Sequence, residues 1–192
     1  MAINLFEEVN NRMGQPITKK ENPSGATKKA YEKTLEGAAI PLALAGIYHL
    51  AASKEGAQRI TDYILIDRTT IERPANNSCA LFTFGNKTEE VIDKITNYSG
   101  ATRSIAYDVL NEASRNAYQV MLRELVNDNV KPEDITRFMV AQRHTILSHL
   151  PEALQLGHLL GDETIDDVSN KMEGPISNLM HNLGESFSGS AR

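Results

Sequence analysis

Residues 37–53 read "GAAIPLALAGIYHLAAS", seventeen positions without a charge in a chain whose net charge is −5. A proline, Pro41, sits near the start of the run. A membrane span needs about 20 predominantly apolar residues, whereas 10–14 usually marks a buried helix. Gly37, Pro41, Gly46, His49 and Ser53 dilute the apolar content, and the alanines add little transfer energy. The run therefore reads as a core helix buried all round, and no membrane span is expected. Proline cannot donate a backbone hydrogen bond, and its ring presses on the carbonyl four residues earlier, at a cost of about 3 kcal/mol in a straight helix. That earlier residue is Gly37, so a kink or helix junction is expected around Gly37–Pro41.

Helical periodicity continues on both sides of the run. Phe6, Val9 and Met13 share one face, with Gly14 as a stop signal. A helix is expected from Thr27 into the run, after the loop "QPITKKENPSG" (15–25). Ser53 has the chemistry of an N-cap for the next helix, whose inner stripe is Ala57, Ile60 and Ile64. The segment "CALFTF" (79–84) breaks the helical pattern and reads as extended, or as an apolar loop plugging the core. Asn86 with Glu89 has capping-box spacing ahead of Val91, Ile95 and Tyr98. A long helix should run from Ala101 to about Val126, with Ala106, Leu110, Ala113, Ala117, Met121 and Leu125 inward. Pro132 opens a further helix over 133–150, and Pro151 ends it. "EALQLGHLLG" (152–161) reads as one short helix stopped by Gly161. Beyond it lie two weaker amphipathic segments, marked by Ile165, Val168 and Met172, then by Ile176, Leu179, Met180 and Leu183.

Two stretches beginning "SGAT", at Ser24 and Ser99, align without gaps and share Leu35/Leu110, Ala38/Ala113 and Leu50/Leu125. The expected fold class is therefore all-α: a multihelical bundle of two related helical units around a central, uncharged, proline-kinked helix. It would form a single domain over 1–183, with the repeat at 24–66 and 99–150, C-terminal helical segments at 152–183, and a flexible tail at 184–192.

Two signatures resemble the bacterial YidB-like domain family of unknown function. One is "EGAAIPLALAGIYHLAASKEGAQRI" (36–60), an Ala-Ile-Pro helix followed by Ser-x-Glu-Gly-Ala. The other is "LFTFGNKTEEVIDKITNYSGATRSIAYDVL" (81–110). The resemblance covers roughly Leu5 to Leu160 and implies a compact multihelical domain of two units, with no established activity. Asn116 departs from it where the second unit of such proteins often carries proline. The linker also lacks the glycine-rich stretch that many of them have.

The chemistry-bearing residues do not form a recognisable catalytic set. His144 and His149 are five apart, about 140° round a helix, which does not suit a zinc pair. His49 lies in the uncharged run and reads as a hydrogen-bonded core histidine, while His158 and His181 stand alone. Asp162, Glu163, Asp166 and Asp167 fit the solvated start of a helix, and Asp108 with Glu112 reads as a solvated helical pair. Cys79, the one cysteine, excludes an intrachain disulfide and reads as a small buried side chain. No phosphate-binding glycine fingerprint occurs.

No catalytic, cofactor-binding or metal residue is assigned, and the expectation is a non-enzyme without cofactor. The cluster Lys19, Lys20, Lys28, Lys29 and Lys33 reads as solvated surface, and the acidic balance argues against a nucleic-acid partner. The start of the chain lacks the features of a signal peptide, so a cytoplasmic location is expected. The functional expectation is action through protein contacts or self-association, with the C-terminal amphipathic segments as the contact surface. The alternative is a small-molecule or lipid binder with a pocket near Pro41 and "CALFTF".

Overall fold

The computed structural model describes residues 3–13, 34–66, 78–125, 130–162 and 165. Among them every regular element is a helix. In chain order these are α1 (Leu5–Arg12), α2 (Leu35–Ala51), α3 (Lys54–Ile66), α4 (Cys79–Phe84), α5 (Thr88–Ser99), α6 (Arg103–Leu125), α7 (Pro132–His149) and α8 (Leu156–Leu160). Short 3-10 turns stand at Gly85–Lys87 and Glu152–Leu154. The all-α reading holds.

Helix α2 is the uncharged run, and it occupies the middle. Every residue from Gly37 to Ile47 is buried. It packs chiefly on α6 and α7, with α1, α3, α4 and α5 closing the remaining sides. No charged group can be accommodated on the enclosed stretch Gly37–Ile47, which is the physical reason for its composition, while Glu36 stands on the half-buried first turn. No single described helix is long and apolar enough to cross a membrane.

The start of α2 differs from expectation. Thr34 is extended and caps the helix, its hydroxyl accepting the Gly37 N–H at 3.1 Å. The helix holding the run thus begins at Leu35, not at Thr27. In the second unit the aligned "SGAT" does lead straight into a helix: Thr102 accepts from the Ile105 N–H at 3.4 Å, and α6 starts at Arg103. The two long helices therefore do not begin at aligned positions. Helix α2 continues through Pro41 to Ala51, and the sharp turn is at its other end, where the α2 and α3 axes differ by 116°.

That junction is built from small residues. Ser53 Oγ accepts the Gly56 N–H at 3.0 Å, the expected N-cap. A β-carbon on Gly56 would stand 1.9 Å from the Leu50 carbonyl oxygen, so only glycine lets α3 leave so close to α2. The Thr136 hydroxyl of α7 donates to the Ala51 carbonyl at 2.9 Å, tying down the open end of α2.

Three further expectations are corrected. "CALFTF" is helix α4, capped by Ser78, whose Oγ accepts the Leu81 N–H at 3.0 Å and donates to Asn111 Oδ1 at 3.2 Å. Asn86 does not cap α5. It lies within the 3-10 turn, where the Thr88 hydroxyl donates to the Gly85 carbonyl at 2.7 Å. The segment 152–161 is two pieces rather than one helix, because Gln155 adopts a left-handed conformation (φ 45°) between the 3-10 turn and α8. Gly161, also left-handed, ends α8 as expected. The segments beyond Ile165, the tail and the lysine cluster lie outside the described residues.

Candidate functional site

The functional surfaces are set by how α7 sits in the bundle. Pro132 opens it at N1 and the Asp134 carboxylate accepts the Lys131 N–H at 3.1 Å, fixing its start. Midway, the buried Gln142 amide accepts the Leu5 N–H and donates to the Ile3 carbonyl, both at 2.9 Å. One side chain thereby satisfies the entry of α1. Sequence periodicity missed it, because a glutamine on an inward position looks like a gap in the stripe.

Along its first half α7 shares a groove with α3. The volume is about 450 Å³, lined by Lys54, Ala57, Pro132, Glu133, Thr136, Arg137 and Val140. Val140 is 56% exposed there, the most exposed large apolar side chain among the described residues.

At its far end α7 borders a second cleft, of about 380 Å³, between α5 and the 3-10 turn that follows. Tyr98, Ser148, His149, Leu150, Pro151 and Glu152 line it. The His149 ring stacks on Phe6 with centroids 3.9 Å apart. Its Nδ1 lies 2.8 Å from the Thr145 carbonyl oxygen, and a carbonyl can only accept, so Nδ1 carries a proton. Ser148 Oγ donates to the same carbonyl at 2.9 Å and lies 3.3 Å from Nδ1. A nucleophile–base pair needs the histidine nitrogen nearest the hydroxyl to accept its proton. Here that nitrogen is already a donor, so Ser148 and His149 do not form such a pair.

A third cluster lies among α3, α4 and α6. Thr83 Oγ1 gives its proton to the Cys79 carbonyl at 2.7 Å, so the Tyr118 hydroxyl, 2.9 Å away, must donate to Thr83. Burial holds the Tyr118 phenol well above its ordinary pKa. Tyr63 stacks on Phe82 at 4.5 Å, and its hydroxyl meets Cys79 Sγ at 3.1 Å. The Arg59 guanidinium sits over the Phe82 ring at 5.2 Å. These partners rigidify the core and cover Cys79, which is 1% exposed, as the sequence reading expected. Beside α2 the Phe84 ring packs on Gly46.

The other singled-out residues are dispersed. His49 Nδ1 stands at ion-pair distance, 3.5 Å, from Asp162 Oδ2, and its side chain is 36% exposed, so it is not the core residue expected. His144 and His158 are exposed, and Asp108 is exposed on α6. Glu112 accepts from Arg115 at 2.5 Å and from the buried Asn116 amide at 3.1 Å. His181, Glu163, Asp166 and Asp167 lie outside the described residues. Among the described residues no three His, Cys, Asp or Glu side chains come together as a metal site.

No protein family model matches the chain, and comparison with curated proteins and with solved structures finds no match. The YidB-like resemblance rests on the quoted signatures alone.

Proposed function

We propose that this is a non-catalytic helical protein that works by self-association, the groove between α3 and α7 receiving the C-terminal segment of a second copy. The observation that carries the reading is Val140, open to water in the groove between α3 and α7. The occupant follows from the rest of the chain. Ile176, Leu179, Met180 and Leu183 have the spacing of one helical face, in the stretch that follows Ile165. Asp166, Asp167, Glu173 and Glu185 around that stripe complement Lys54 of the groove, whose lining also holds Glu133 and Arg137, the latter paired with Asp134. Helix-in-groove recognition uses this kind of i, i+3, i+4, i+7 anchor set.

The proposal includes a cytoplasmic location and membership of the YidB-like family, both resting on sequence features. Light scattering on the full chain tests it. A mass that rises with concentration, and falls to the monomer value in Val140→Asp without loss of thermal stability, supports self-association through the groove. A strict monomer at every concentration contradicts it, and so does a Val140→Asp variant that associates like the parent.

A further inference from the structure

We infer that residues 166–183 fold back onto the α3–α7 groove of their own chain, so that the monomer is closed and self-association requires the segment to leave. The inference rests on the pairing of groove and segment in the proposed function and adds its regulation: a chain's own segment competes with that of a second copy.

The place where the C-terminal segment leaves the core carries the argument. Ile165 is 3% exposed and its N–H donates to the Asp162 carbonyl at 3.1 Å, so the exit is anchored. The Asp162 carboxylate lies 3.5 Å from Nδ1 of His49, in the last turn of α2. Five peptide steps separate His49 from Lys54, which lines the groove, so their Cα atoms are at most about 18 Å apart. Thr136, another lining residue, donates to the carbonyl of Ala51, two residues beyond His49. The segment therefore departs beside one end of the groove.

The lengths agree as well. Ten residues lead from Ile165 to Pro175, a reach of up to about 33 Å. Pro175 and Gly184 are start and stop signals that frame Ile176, Leu179, Met180 and Leu183 as one short helix. Such a helix rises about 11 Å over residues 176–183, and the α7 side of the groove rises about 12 Å over residues 132–140. A segment on so short a linker meets its own groove at an effective concentration on the order of millimolar. Closure is then favoured in dilute protein, and exchange between copies takes over as concentration rises.

A spin label on Glu185→Cys tests this in the full chain by amide NMR, at a concentration where light scattering gives the monomer mass. Cys79, 1% exposed, is shielded from the label. In the first sample, labelled chains enriched in nitrogen-15 are diluted into excess unlabelled chains of natural abundance, so that broadening reports contact within one chain. In the second, enriched chains without the label are mixed with labelled chains of natural abundance, so that broadening reports contact between chains. Closure predicts broadening at Ala57, Thr136 and Val140 in the first sample and its loss in Leu179→Asp, a change that leaves the groove intact. In the second sample broadening should emerge only as the mass rises. Broadening in the second sample alone overturns closure and leaves self-association standing. No broadening in the first sample, or broadening that survives Leu179→Asp, also overturns closure. Broadening in the first sample with a strict monomer at every concentration upholds closure and overturns only the self-association.

Discussion

The ring of Phe84 lies against the backbone of Gly46, so close that a β-carbon at position 46 would stand 2.3 Å from Phe84 Cε1. The short helix α4 is docked on the central helix through this contact. Gly46→Ala must displace the ring, and overpacking of this kind costs about 1–3 kcal/mol. Chemical denaturation of Gly46→Ala, Phe84→Leu and the double variant should show coupling, with the second substitution recovering part of the loss.

Gly56 is a harsher case. Its missing β-carbon would meet a backbone oxygen, Leu50 O at 1.9 Å, and backbone cannot swing aside as a ring can. Gly56→Ala should therefore cost more than Gly46→Ala, about 3 kcal/mol or more, read by the same denaturation midpoint.

Gln142 holds the first helix. Gln142→Leu leaves the Leu5 N–H and the Ile3 carbonyl without their partner, each costing about 1–3 kcal/mol if it stays buried. Detachment of α1 is the relaxation available, because it lets water take both groups. Limited proteolysis should cut Gln142→Leu between residues 3 and 13 well before the parent chain.

Alkaline pH should expose Tyr118. Its phenol is raised by burial, so the folded state binds its proton more tightly than the unfolded state does. The associated stability is complete below the unfolded tyrosine value of about 10 and is lost as pH climbs beyond it. Tyr118→Phe removes that loss, at a cost of about 1 kcal/mol at neutral pH for the hydrogen bond to Thr83. Circular dichroism against pH should show the variant unfolding at a higher pH than the parent does.

How much of this was legible in the sequence depended on period and length. The seventeen uncharged residues announced a buried helix because composition alone carries that signal, and the stripe of α6 followed from its 3.6-residue spacing. "CALFTF" was misread because a run of six residues, five of them apolar, is too short to show a period. Its one usable mark was Ser78, a local N-cap three residues before Leu81, whereas the tie from Ser78 to Asn111 is long-range. Asn86 failed as a cap because a 3-10 turn placed it one step too early, and spacing rules cannot see that turn. Gln142 and the proton on His149 depend on partners far along the chain or on geometry. Neither the α7 groove nor its terminal cleft could be read from a local motif.

The account rests on α2 being shut inside the protein by its neighbours. Hydrogen exchange on the full chain in plain buffer tests that directly. The amides between Ala38 and Ile47 should exchange only through global unfolding and be among the slowest in the chain. Rapid exchange across them, or protection that appears only when lipid or detergent is added, would contradict it.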